Sequence, residues 1–100
     1  MEKINTSNRW LNSDTNSLFR AIVGLKNLDE TRRFLRDLLT EGEIIELGQR
    51  LKVAKMLNKK ISYKQIEQET GMSSTTIARI HAWMKGGMGG YQLVLRKTKE

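Results

Sequence analysis

The stretch Glu69–Ile80 reads ETGMSSTTIARI. A glycine and a methionine precede four short hydroxyl side chains, and Ile77 and Ile80 follow at helical spacing. Just upstream, Ser62 and Gln65 have the spacing of a capping box. They open a brief helix, Tyr63 to Glu69, with Ile66 as its inward anchor. Thr70 and Gly71 close it, because glycine takes positive φ after a helix most easily. Ser73 or Ser74 then caps a longer helix carrying Ile77, Ile80, Trp83 and Met84. Two helices joined by a glycine turn, with Ile66, Gly71, Met72, Ile77 and Ile80 at these separations, predict a helix-turn-helix over about residues 62–84. Glu67 departs from the pattern, since that place is usually small.

Outward from this unit, the chain reads as helix throughout. It has 100 residues and no proline, so no missing N–H interrupts a helix. The only strand-like run is Tyr91 to Leu95, which has no obvious partner and reads equally as a further short helix. Ser13 and Asp14 suit the start of a first helix bearing Leu18, Phe19, Ile22, Val23 and Leu25 on one face and ending near Gly24 to Asn27. Asp29 can start a second, with Phe34, Leu35, Leu38 and Leu39. Thr40 and Glu43 form a capping box for a third, with Ile44, Leu47, Leu51, Ala54 and Leu57 on one stripe and an end near Asn58. The glycine-rich GGMGG ends the longer helix and leaves a mobile joint. The expectation is an all-α domain of five to six helices over residues 13–95, between a flexible arm at 1–12 and a charged tail at 96–100.

The apolar load of the first two helices exceeds what a chain of this size can cover alone. Leu18, Phe19, Ile22, Val23, Phe34, Leu35 and Leu38 are therefore expected at an interface between two copies; ordinary intrachain core is the alternative.

Charge placement points to a polyanion. Residues 1–49 carry seven basic and eight acidic side chains, residues 50–85 eight basic and two acidic, and residues 86–100 three basic and one acidic. The positive potential is concentrated on the helix-turn-helix and the helix before it, as expected for double-stranded DNA. There is no cysteine and one histidine, which excludes the usual metal sites. No carboxylate pair or nucleophile–base pair suggests an enzyme. KGGMGGY lacks the phosphate-loop pattern. No run approaches the roughly 18 apolar residues of a membrane span, so a soluble cytoplasmic protein is expected.

Small side chains at the start of a recognition helix let its backbone approach base edges, and their hydroxyls can bond phosphates, bases or bridging waters. Lys64, on the preceding helix, is placed to touch the DNA backbone. Tyr63 reads either as a phosphate contact or as packing, and His81 as a surface or phosphate neighbour. The alternative to a sequence-specific regulator is a non-catalytic helical dimer that binds DNA without sequence preference or recruits a protein partner.

The run from Leu38 to Ile80 resembles the Trp repressor superfamily, and most of all its small TrpR-related branch, the YerC/YecD-type proteins. The likeness covers about Thr15 to Tyr91 and rests on Leu39-Thr40, Leu47-Gly48-Gln49-Arg50 and Glu69-Thr70-Gly71. It implies a TrpR-like fold, an intertwined homodimer and a palindromic operator. It places DNA contacts on Lys64, Met72, Ser73, Ser74, Thr75, Thr76, Ala78 and Arg79. Arg50 and Arg79 match the two arginines that bracket the repressor's tryptophan, which raises a possible amino-acid effector. Ile80 stands where the repressor has glycine, and Trp83 where it has serine, so tryptophan itself is not expected to bind. Arg79 accordingly reads as an operator contact, an effector bracket or a solvated charge. Transcriptional repression, of amino-acid biosynthesis genes for instance, is the function the resemblance implies.

Overall fold

The structure, a computed structural model, describes residues 9–98. Six helices follow one another: α1 Ser13–Val23, α2 Leu28–Leu38, α3 Glu41–Asn58, α4 Tyr63–Thr70, α5 Ser74–Gly86 and α6 Gly90–Thr98. The all-α fold class is as the sequence predicts. The described residues fall into two compact units, 9–44 and 45–98, whose boundary lies in the first turn of α3. Among the described residues no helix is long and apolar enough to cross a membrane.

In the first unit, asparagines rather than the expected residues cap the helices. Asn12 is extended, at φ −148°, and its side chain accepts from the Thr15 N–H at 2.9 Å. The Thr15 hydroxyl in turn accepts from the Asn12 N–H at 3.0 Å. Ser13 and Asp14 are already helical, where Asp14 favours the positive end of the helix. Asn27 does the same for α2, accepting from the Glu30 N–H at 2.9 Å, so α2 begins before Asp29. Trp10 belongs to this folded start: its carbonyl accepts from the Thr15 hydroxyl, and its ring meets Phe19 edge-on, with centroids 6.1 Å apart. The expected flexible arm otherwise falls on residues 1–8, outside the described residues.

The first unit has no buried side chain in α1 or α2. Leu18, Phe34 and Leu35 are half-buried, while Phe19, Ile22 and Leu38 are exposed and Val23 is 84% exposed.

The core lies in the second unit. Val53, Ala54, Met56 and Leu57 of α3, Ile66 of α4, and Ile77, Ile80 and Met84 of α5 form one buried cluster. Tyr91 and Leu95 of α6 pack against it, which accounts for a helix at the strand-like run. The Thr40–Glu43 capping box of α3 forms, with bonds of 2.9 and 3.1 Å. The single stripe expected for α3 is corrected at both ends: Leu47 is 52% exposed, and Val53 and Met56 join the core. The second half of α3 is covered on a face wider than one stripe. Arg96 to Thr98, expected in the tail, continue α6.

α3 ends in a Schellman turn. The Ile61 N–H donates to the Met56 carbonyl and the Lys60 N–H to the Leu57 carbonyl, at 3.1 and 3.0 Å. Ile61 then packs against the core, as this turn favours. Lys60 holds the left-handed position, φ 66°, where glycine is the usual occupant. A side chain there costs about 1–2 kcal/mol.

Candidate nucleic-acid interface

The helix-turn-helix is built by local bonds that the sequence encodes. Ser62 caps α4, accepting from the Gln65 N–H at 3.2 Å. The reciprocal half of the expected capping box is not made, because the Gln65 amide donates to Glu69 at 2.9 Å instead. The turn depends on Thr70 and Gly71. The Thr70 hydroxyl donates to the Ile66 carbonyl at 2.7 Å and accepts from the Met72 N–H at 3.2 Å. Gly71 lies at φ 75° and donates to the Glu67 carbonyl at 2.9 Å. Glu67 is half-buried, so the unusual large residue is accommodated beside the turn.

Of the two candidate serines, Ser73 is the cap of α5. Its oxygen accepts from the Thr76 N–H at 3.2 Å and lies 3.1 Å from the Thr76 hydroxyl. Thr76 and Met72 are half-buried, and Met72 packs on the core. Ser74, Thr75, Ala78 and Arg79 are exposed. Their spacing, two i,i+4 pairs side by side, puts them on one face of α5. Ser74, Thr75 and Arg79 have no hydrogen-bond or ion-pair partner among the described residues. Lys64 is exposed on α4. Thus three hydroxyl or cationic groups and the start of a helix face outward, while the residues beneath them are fixed in caps and core.

Arg50 and Arg79 line the same open groove, of about 1450 Å³, in the second unit. Arg50 is held by Glu46 at 2.9 Å in an exposed pair one helical turn apart. Such pairs contribute about 0.3–0.5 kcal/mol, little enough to be exchanged for another partner. Trp83 lines the groove and is 47% exposed, whereas Ile80 is only 4% exposed and belongs to the core. In the sequence both stand among the apolar residues of this helix. The Gln92 amide donates to the Met84 carbonyl and ties α6 to the end of α5.

One pairing escaped the sequence. The Tyr63 hydroxyl lies 2.8 Å from His81 Nδ1, and the two rings meet edge-on at 5.9 Å. Burial chiefly, then Lys85 and Lys60, hold the His81 pKa below its ordinary value. The partners are 18 residues apart, so no local spacing rule connects them.

A helix-turn-helix with an outward polar recognition helix is the architecture of a DNA-binding regulator. The Trp repressor protein family matches residues 13–99 of the chain. YerC of Bacillus subtilis is 42% identical over 87 residues, which span 87% of this chain and 84% of that protein. A crystal structure of a TrpR-like protein from Eubacterium eligens superposes with a TM-score of 0.87 at 38% identity, covering 93% of this chain and 96% of that one. The chain belongs to the Trp repressor family, and within it is a YerC-type, TrpR-related protein.

Proposed function

We propose that the protein is a sequence-specific transcriptional regulator, a repressor in its simplest form, which binds a palindromic operator as a cytoplasmic homodimer. The observation that carries this reading is the exposed face Ser74, Thr75, Ala78 and Arg79 on a helix whose other side is locked into the core. Rigid support beneath unpaired polar groups is what direct reading of base edges requires. Lys64 supplies a phosphate contact from the neighbouring helix. Met72, Ser73 and Thr76 complete the DNA-facing segment by holding the helix start in place. The amino-acid composition supports the same partner, since the positive charge gathers on residues 50–85.

The exposed Phe19, Ile22, Val23 and Leu38, with the half-buried Leu18, Phe34 and Leu35, support a second copy as the cover for α1 and α2. In such a dimer the two recognition helices would stand about one DNA turn, roughly 34 Å, apart. No cofactor is needed for this function. A small amino-acid effector at the Arg50–Arg79 groove is compatible with it. Tryptophan is not the expected effector, a reading supported by the Trp83 indole on the groove wall. A saturable heat on titrating tryptophan into the protein would refute this last point.

The test is selection of genomic fragments on the purified protein at physiological salt, with and without a pool of amino acids. Recovery of a few palindromic sites, with a large ratio of specific to non-specific affinity, is the expected result. Fragments without a shared motif would instead mark a non-specific binder. Replacing Ser74 and Thr75 by alanine should lower affinity for the selected site and leave the sedimentation of the dimer unchanged. Loss of the dimer in that variant would show that the recognition surface lies elsewhere.

A further inference from the structure

We propose that Lys60, Tyr63, His81 and Lys85 form a proton-linked phosphate site beside the recognition helix, where contact with a DNA phosphodiester is accompanied by proton uptake at His81. The proposal rests on the DNA-binding reading above and adds a regulated contact to it.

The geometry begins with the bond between Tyr63 Oη and His81 Nδ1, 2.8 Å long. Tyr63 is the first residue of α4, next to the exposed Lys64, and His81 is in the middle of α5. Both are half-buried. When His81 is neutral, the tyrosine O–H donates to Nδ1 and the imidazole proton resides on Nε2. When His81 is protonated, Nδ1–H must donate and the tyrosine oxygen accepts. The hydroxyl proton then turns away from the ring and becomes available to an outside acceptor. Protonation thus adds a positive charge and a hydrogen-bond donor at one place.

The groups that face His81 make that place selective for an oxyanion. Tyr63 from α4 bonds His81 directly, and the charges that act on it are those of Lys85, from the next turn of α5, and Lys60, from the turn after α3. Burial opposes protonation of the imidazole in the free protein, and the charges of Lys85 and Lys60 oppose it further. A phosphate drawn in by the same two lysines reverses the balance, because its charge favours the imidazolium. Affinity for phosphate and affinity for the proton are therefore coupled, each raising the other.

Lys60 has a defined backbone position. It occupies the left-handed position of the Schellman turn, where glycine is the less strained choice. The side chain at that position is a cation whose charge acts on His81.

His81 is the only histidine in the chain, so its ring Cε1–H resonance is unique in an NMR spectrum. That resonance is followed from about pH 5 to about pH 8, across the histidine range, in the full-length protein. It is measured alone, with inorganic phosphate, and with a saturating mixed-sequence duplex. Duplex affinity is measured in parallel by fluorescence anisotropy. The expected result is a midpoint below 6.5 in the free protein and a rise on adding duplex. Each unit of rise corresponds to an increase in affinity of about tenfold toward acid pH. His81→Gln should bind duplex with no such dependence, Tyr63→Phe should weaken acid-pH binding, and Lys60→Gly should reduce the rise.

Duplex binding with an unmoved His81 midpoint would overturn the proposal while leaving the DNA-binding reading intact. A rise with inorganic phosphate but none with duplex would identify a free-anion site and overturn the link to DNA. Failure of the duplex to bind at any pH would overturn both readings. The wild-type titration decides among these even where a variant folds poorly.

Discussion

Gly71→Ala and Gly87→Ala exchange the same hydrogen for the same methyl group, yet the structure assigns them different penalties. Gly71 lies at φ 75°, and a Cβ there would meet nothing within 4 Å. Its penalty is in the backbone alone, about 1–2 kcal/mol for a left-handed residue. Restricting the unfolded chain offsets about 0.4–1 kcal/mol of this. A net loss of about 1 kcal/mol follows, or a fall in Tm of about 4–8 °C for a chain of this size. Gly87 lies at φ −83°, which any residue adopts. By backbone freedom alone, alanine there would stabilise the fold. A Cβ at Gly87, however, would lie 2.5 Å from the Trp83 carbonyl oxygen and 3.0 Å from Trp83 Cε3. That same carbonyl accepts the Gly87 N–H at 2.9 Å, so the backbone cannot yield without losing the bond. Crowding of this kind costs about 1–3 kcal/mol. Urea denaturation followed by far-UV circular dichroism, at one fixed protein concentration, measures both. Asparagine tolerates the left-handed region, so Gly71→Asn should recover part of the loss, whereas Gly87→Asn should recover none. A Gly87→Ala variant as stable as the parent would refute the account of the α5–α6 joint. A Gly71→Ala variant as stable as the parent would refute the account of the turn.

Ile66→Ala removes a fully buried side chain from the centre of the core and should destabilise by about 2–5 kcal/mol in the same urea assay. Ser73→Ala removes the cap of α5 and should cost about 1 kcal/mol; Ser74→Ala should leave stability nearly unchanged, a contrast that thermal melts resolve. The pH dependence of stability should carry the His81 signature. Its pKa in the folded chain lies below the ordinary 6.5, so the unfolded chain holds the proton more tightly. The contribution of neutral His81 is complete above about pH 6.5 and diminishes as pH falls toward the folded value. Urea midpoints compared with those of His81→Gln should diverge in that window, and parallel curves would show that His81 is not linked to folding.

Much of the fold is local and was therefore legible in the residues. Short-range bonds fix the end of α3 near Asn58, the Thr40–Glu43 capping box and the Gly71 turn. Each rests on bonds between groups two to five residues apart, and local spacing reports them. The caps at Asn12 and Asn27 were displaced by one or two residues, because several adjacent polar side chains can satisfy the same free N–H groups.

The sequence by itself determined the helical class, the helix-turn-helix and the gathering of positive charge on residues 50–85. Tertiary structure alone decided which apolar residues are covered. It buried Val53 and Met56, left Trp83 on the wall of a groove, and gave α1 and α2 no core of their own. It also joined Tyr63 to His81 across 18 residues. Burial and long-range pairing depend on which surfaces meet in space, and hydrophobic patterning along one helix says only which face is apolar, not what arrives to cover it.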